Sequence, residues 1–135
     1  MNVHDIMSTK LVTISAEDRL STVEDIMTLG GVRHMPVVRR GQLVGVVSER
    51  DLLRASQSNL NAFGIEQRRA FLQAVEIQRV MSSPPIVIHP ESTAEEAALL
   101  MAEKKIGCLP VLEDEKLVGM LTETDLLRYF AGVLP

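Results

Sequence analysis

The 135-residue chain has no tryptophan, and its one tyrosine and three phenylalanines make up only 3% of it. That scarcity argues against the aromatic platforms on which single-stranded nucleic acids stack. It also leaves the core to Val, Ile, Leu and seven Met. A lone cysteine, Cys108, excludes an intrachain disulfide and a cysteine cluster for zinc. His4, His34 and His89 are scattered, and no paired carboxylates stand at a spacing suited to a metal. No apolar run approaches the roughly 18 residues of a membrane span. Met1 to Lys10 carries acid and polar residues where a signal peptide needs a cationic start and an apolar stretch. Positive charge is in deficit: 14 Lys and Arg against 18 Asp and Glu give a formal net charge of -4. Such a molecule repels phosphate backbones and anionic membranes as a whole, so any anion must be held by local groups. The expectation is a cytoplasmic protein whose partners include neither nucleic acid nor membrane.

What is present is a globular balance, 46% hydrophobic and 24% charged, in a chain the length of one ordinary domain. The chain also repeats itself. Pro36-Val37 recurs as Pro110-Val111, an offset of 74 (110 minus 36). Without a gap the same offset carries Met7-Ser8 onto Met81-Ser82, Ile14 onto Ile88, Glu17 onto Glu91 and Met27 onto Met101. It goes on to carry Leu43-Val44-Gly45 onto Leu117-Val118-Gly119 and Asp51-Leu52-Leu53-Arg54 onto Asp125-Leu126-Leu127-Arg128.

Each copy predicts the same elements. Val12-Thr13-Ile14 and Ile86-Val87-Ile88 are short β-branched openings for a strand. A helix follows, with Ser15 as its expected cap, Leu20, Val23, Ile26 and Met27 on one face, and Gly30-Gly31 as its stop. In the second copy Pro90 is expected in the first turn, and Ala94, Ala97, Leu100 and Met101 repeat the face. Two apolar runs around Arg39-Arg40-Gly41-Gln42, and two around Glu113-Asp114-Glu115-Lys116, predict hairpins, each followed by a helix from Ser48 or Thr122. The fold class is therefore α/β (α+β), two β-α-β-β-α repeats expected to pack about a pseudo-twofold axis as one module. Repeat one is placed at about 1–56, a helical connector at about 57–78 and repeat two at about 79–135. Across Ala55 to Gln78, Leu60, Phe63, Phe71, Leu72 and Val75 read as an amphipathic helix broken near Gly64, with apolar positions available to a partner subunit.

The strongest local signal is Gly45-Val46-Val47-Ser48-Glu49-Arg50-Asp51 and its copy Gly119-Met120-Leu121-Thr122-Glu123-Thr124-Asp125, a G-x-x-[ST]-x-x-D string at a strand-to-helix junction. One reading is structural: Ser or Thr followed three residues later by an acid resembles a capping box and needs no ligand. The other is a nucleotide site. Free N–H groups at the helix start attract phosphate, the hydroxyl donates to it, the carboxylate accepts ribose hydroxyls, and the glycine lets a flat base approach the backbone. The two readings are compatible.

With Val3 to Ser8 as V-x-D-I-M-S, Arg33 to Val38 as R-H-M-P-V-V, and the doubled junction motif, nearly the whole chain resembles a pair of CBS domains, the repeats named for cystathionine beta-synthase. The resemblance implies clefts that bind AMP, ADP, ATP, S-adenosylmethionine or NAD as regulatory ligands, with no obligatory cofactor. It implies that Asp51 and Asp125 hold ribose and that Ser48 and Thr122 face ribose or phosphate. Val12, Thr13, Ile86 and Val87 would line the adenine slot, and Arg33 and His34 would reach phosphate. The neighbouring Met35, Val46, Arg50 and Met120 complete the candidate set. It further implies a homodimer that signals to a client protein whose identity the sequence does not name.

The copies diverge where charge matters. Arg33-His34 aligns with Gly107-Cys108, and Arg50 with Thr124, so three potential phosphate contacts stand in the first copy and none in the second. Unequal sites are expected. Plainer readings stand beside these: Arg39, Arg40 and Arg54 as a solvated face, His34 as a core-edge histidine, Cys108 as a buried inert thiol. A hydrolase built on Ser48, His34 and Asp51 is rejected, because Asp51 stands one helical turn beyond Ser48, where it competes for the serine instead of orienting a histidine. The expected function is regulatory adenine-nucleotide sensing without catalysis; the alternative is a dimerisation or scaffold module with degenerate clefts.

Overall fold

Each copy is built on a hairpin whose turn takes two consecutive left-handed residues. β2 (His34–Arg39) and β3 (Gln42–Ser48) pair antiparallel from His34 opposite Ser48 to Arg39 opposite Gln42. Arg40 and Gly41 between them have φ of 53° and 78°, the signature of a type I′ turn, whose twist matches that of the strands. β4 (Cys108–Glu113) and β5 (Lys116–Thr122) repeat the register from Cys108 opposite Thr122, with Asp114 and Glu115 at φ 50° and 65°. The computed structural model describes residues 1–60 and 64–133, residues 57–60 by their backbone alone.

The opening strands are shorter than their β-branched composition suggests. β1 (Ile14–Ser15) runs parallel to β2, and its counterpart is a single bridge between Ile88 and Val111. Val12, Thr13, Ile86 and Val87 precede these ladders. α2 (Leu20–Gly30) is capped at Arg19, not Ser15. The chain first turns over Ser15 to Asp18, where the Ser15 N–H donates to Asp18 Oδ2 at 2.8 Å and the Asp18 N–H to the Ser15 carbonyl at 2.9 Å. In the second copy α5 (Ala94–Lys104) starts at Thr93, whose Oγ1 accepts the Glu96 N–H at 3.1 Å. Pro90 therefore lies ahead of that helix, where the first turn had been expected to begin.

Gly31, at φ 64°, ends α2 as the doubled glycine predicts, but α5 ends on Lys105 at φ 56°. A side chain in the left-handed region costs roughly 1–2 kcal/mol. Lys105→Gly is therefore expected to stabilise the chain by about 1 kcal/mol, read as a higher urea midpoint at unchanged slope. A lower midpoint would mean that the exposed lysine makes a compensating contact.

The compact units are offset from the sequence repeats. One comprises residues 12–85; the other joins Met1–Leu11 to Ile86–Pro135. In the 12–85 unit, Leu20, Val23, Met35, Val37, Val47 and Ile77 are fully buried in one cluster. β3 is joined there by the start of the second repeat: the Ser82 N–H donates to the Val46 carbonyl at 2.8 Å, and the Val46 N–H to that of Ser82 at 3.1 Å. The other unit mirrors this at the repeat offset, with Ser8 and Met120 exchanging two backbone hydrogen bonds of 2.9 Å. α1 (Val3–Ile6) inserts Val3 and Ile6 into a core of Ala94, Ala97, Leu109, Val111 and Leu121. The Asn2 backbone N–H donates to Asp5 at 3.0 Å and holds that carboxyl below the usual carboxylate range. With its folded pKa depressed, Asp5 contributes stability that is present above its unfolded value of ~3.9 and is lost as pH falls through the folded value.

α3 (Glu49–Leu60) runs out of the first junction, and Gly64 caps α4 (Ile65–Ala74). The Leu60 side chain and Phe63 lie outside the described residues. Leu72 is buried, and Phe71 and Val75 pack against the cluster of the 12–85 unit. This part of the apolar face, which the sequence offers to a partner subunit, instead covers the chain's own core. α6 (Glu123–Phe130) buries Leu126 but leaves Leu127 68% and Phe130 55% exposed. Among the described residues no helix is long and apolar enough to cross a membrane.

Candidate functional site

Both G-x-x-[ST]-x-x-D strings fold as the capping-box reading predicts. In the 12–85 unit the Ser48 backbone N–H and hydroxyl both donate to Asp51 Oδ2, at 2.8 and 3.0 Å, and the Asp51 N–H donates back to Ser48 Oγ at 3.2 Å. Thr122 and Asp125 repeat all three contacts, at 2.8, 3.1 and 3.4 Å. One carboxylate oxygen is thus held by two donors, and Oδ1 takes part in none of these bonds. Asp51, Asp125, Ser48 and Thr122 are all partly exposed. The result is a carboxylate fixed in orientation that, among the described residues, has one acceptor oxygen outside the cap, suited to receive a hydroxyl. In each cap the hydroxyl donates to the aspartate.

Two details of the nucleotide reading change. First, few backbone donors remain at the helix start. The Glu49 N–H donates to the Arg33 carbonyl at 2.8 Å and the Glu123 N–H to that of Gly107 at 3.0 Å. With the third N–H engaged by the cap, the Arg50 and Thr124 N–H groups are the first-turn donors these contacts do not use. Second, the glycines face protein. A Cβ on Gly45 would stand 2.6 Å from Met81 Sδ and 2.9 Å from the Ser82 carbonyl, and one on Gly119 would stand 2.5 Å from Met7 Sδ and 3.0 Å from the Ser8 carbonyl. The close approach that glycine permits here is that of a Met-Ser segment. Sequence reasoning missed this role, although Met7-Ser8 recurring as Met81-Ser82 was its signal.

The structure divides the candidate residues between the units by copy. Val12, Thr13, Arg33, His34, Met35, Val46, Ser48, Arg50 and Asp51 belong to residues 12–85, and Ile86, Val87, Met120, Thr122 and Asp125 to the other unit. His34 pairs in register with Ser48, as Cys108 does with Thr122. This draws Arg33, His34, Ser48, Arg50 and Asp51 to one end of the hairpin. Val12 is 42% exposed and Val87 36%. Met35 is fully buried in the core, and Ile86 packs partly buried against the second cluster. Val46 and Met120 have their backbones engaged by Ser82 and Ser8. Two surface hollows of about 350 Å³ lie elsewhere: one is lined by Asn2, His4, Pro90, Glu91 and Glu113, the other by residues of α2, α3 and α4 around Glu24, Ser56 and Arg68.

Against known proteins, the family model described as CBS domain matches residues 3–58 and again 76–132. The chain belongs to that family. It is 33% identical over 134 residues to a CBS domain-containing protein of Dictyostelium discoideum, covering 98% of this chain and 92% of that one. Of two further curated relatives it spans 47% and 21% of the length. Among solved structures it resembles the CBS domain pair of protein MJ0100 in complex with 5′-methylthioadenosine and S-adenosyl-L-methionine, with TM-score 0.83, 25% identity and coverage of 98% and 97%. It also resembles CBSX2 in complex with AMP, with TM-score 0.79, 27% identity and coverage of 98% and 97%. CBSX2 is a protein of Arabidopsis thaliana.

Proposed function

We propose that the chain is a regulatory module that binds an adenosyl ligand such as AMP, ADP, ATP or S-adenosylmethionine and passes its occupancy to a client protein, without catalysing a reaction. The observation that carries this reading is the pair of cap carboxylates, Asp51 and Asp125, each held by two donors on one oxygen while the other is left for ribose. Adenosyl ligands in two of the similar solved structures support it. Switching requires that the ligand bind two states of the module with different affinity. The module acts in the cytoplasm as a homodimer, and exposed Leu127 and Phe130 on α6 offer it apolar surface. Gel filtration is expected to give twice the 14.9 kDa of one chain.

A thermal-shift panel of adenosyl compounds tests the ligand. At a hundred times its dissociation constant a ligand adds about 2.7 kcal/mol, a shift of several degrees. Asp51→Ala and Asp125→Ala are each expected to weaken binding, by different amounts. Because the caps are complete without a ligand, a second reading is a scaffold or dimerisation module with degenerate clefts. No shift from any compound in the panel would favour it.

A further inference from the structure

We infer that the groove in which Met1 to Ser8 lies is a docking site for the same segment of a second copy of this chain, so that two chains exchange their first residues. This rests on the homodimer proposed above. The groove belongs to the 1–11/86–135 unit, where Val3 and Ile6 are buried among Ala94, Ala97, Leu109, Val111 and Leu121. The segment that fills it comes from the other copy of the repeat. Residues 3–58 form the first family match and residues 76–132 the second. Yet Ser8 pairs with Met120 of the second copy, and Ser82 with Val46 of the first. Neither hairpin uses the segment of its own copy.

The two segments are held alike, bond for bond at the repeat offset. The Val3 N–H donates to the Ser92 carbonyl at 2.7 Å, and the Ile77 N–H to that of Asp18 at 2.7 Å. His4 to Pro90 at 2.8 Å answers Gln78 to Ala16 at 3.1 Å, and Ala94 to Met1 at 3.1 Å answers Leu20 to Val75 at 3.0 Å. Met7 and Met81 stand against Gly119 and Gly45 in the same way. A groove therefore recognises a bond pattern and a buried Val3 or Ile77, whichever copy supplies them. Such reciprocal exchange, fused here into one chain, is what domain swapping makes between two. Residues 75–82 follow directly on α4 within their own unit. Met1 to Ser8 instead reaches its groove across residues 9–13, which form neither helix nor strand and of which Thr9, Lys10, Val12 and Thr13 are exposed. Exchanged and unexchanged chains make the same groove contacts and differ at that hinge. A short tether presents the chain's own segment at an effective concentration on the order of mM, and a partner held in a dimer presents its copy in the same range.

Disulfide trapping tests the exchange. Asn2 and Thr93 form an antiparallel bridge flanked by the Val3–Ser92 and Ala94–Met1 bonds. Residues so placed have Cα atoms about 4.5 Å apart, within the roughly 4.4–6.8 Å that a disulfide spans. Asn2→Cys and Thr93→Cys are placed in separate full-length chains, each also carrying Cys108→Ala, which are refolded together and oxidised. A mixed pair linked from position 2 to position 93 is expected, running on a non-reducing gel at twice the 14.9 kDa of one chain. Ser8→Cys and Met120→Cys repeat the test at the other bridge. The control carries Asn2→Cys and Thr93→Cys in one chain. If it oxidises fully while a mixture that gel filtration shows to be dimeric gives no mixed pair, the exchange is overturned and the homodimer stands. A chain that runs as a monomer and gives no mixed pair would overturn both.

Discussion

Deleting residues 1–11 should unfold residues 86–133 while the 12–85 unit keeps its structure. Val3 is fully buried and Ile6 is 4% exposed, both in the core made by α5, β4, β5 and α6. The segment is also stitched in by backbone bonds: Val3 N–H to the Ser92 carbonyl at 2.7 Å, His4 N–H to Pro90 at 2.8 Å, Ala94 N–H to Met1 at 3.1 Å, and the Ser8–Met120 pair. Truncating one buried isoleucine to alanine costs about 2–5 kcal/mol, a large part of the roughly 5–15 kcal/mol by which a domain is stable. Deletion removes Ile6, Val3 and the Ser8–Met120 bridge together. Ile6→Ala should show the same pattern in weaker form. Amide hydrogen exchange resolves the outcome by region. Protection should fall in β4, β5, α5 and α6 and persist in β2, β3 and α2. Equal loss in both units, or none in either, would contradict the assignment of this segment to the second hairpin.

That the start of the chain completes the unit farthest from it in sequence was only half legible beforehand. Local chemistry was enough for the hairpins and for most of the helices. The Arg40-Gly41 turn, the Gly31 stop and the apolar faces of α2 and α5 are set by neighbours a few residues apart. The Ser15 and Pro90 expectations failed because propensity favours those residues at a helix start, but backbone partners decide where the start falls. Leu20 donates to the Val75 carbonyl at 3.0 Å, a contact from the connector that no local pattern contains. Exchange of the Met-Ser segments is long-range in the same way: repetition showed that Met7-Ser8 and Met81-Ser82 share a role, but only the fold shows with which glycine. For the site, the motif spacing gave the Ser48–Asp51 and Thr122–Asp125 contacts directly, since a three-residue separation at a helix start admits few other geometries. Met35 reads as a ligand neighbour in sequence, yet it is fully buried in the core cluster of its unit.

Gly119→Ala and Gly45→Ala are expected to destabilise the chain by about 1–3 kcal/mol each, because the added methyl meets atoms that cannot all move. For Gly119 these are Met7 Sδ at 2.5 Å and the Ser8 carbonyl at 3.0 Å. The thioether can swing away, since methionine is flexible, but the carbonyl is held by the bond from the Met120 N–H. A double-mutant cycle separates the two. In a Met7→Ala background the cost of Gly119→Ala should fall, giving a coupling within the 0.5–3 kcal/mol seen for residues in contact, without vanishing, because the Ser8 contact remains. The Gly45–Met81 pair should behave alike in its own unit. Purely additive effects would mean that methionine is not what the glycine accommodates. If instead the alanine variants kept full stability and lost only adenosyl binding, the glycines would serve the approach of a base, as the sequence first suggested, and the Met-Ser packing would be incidental.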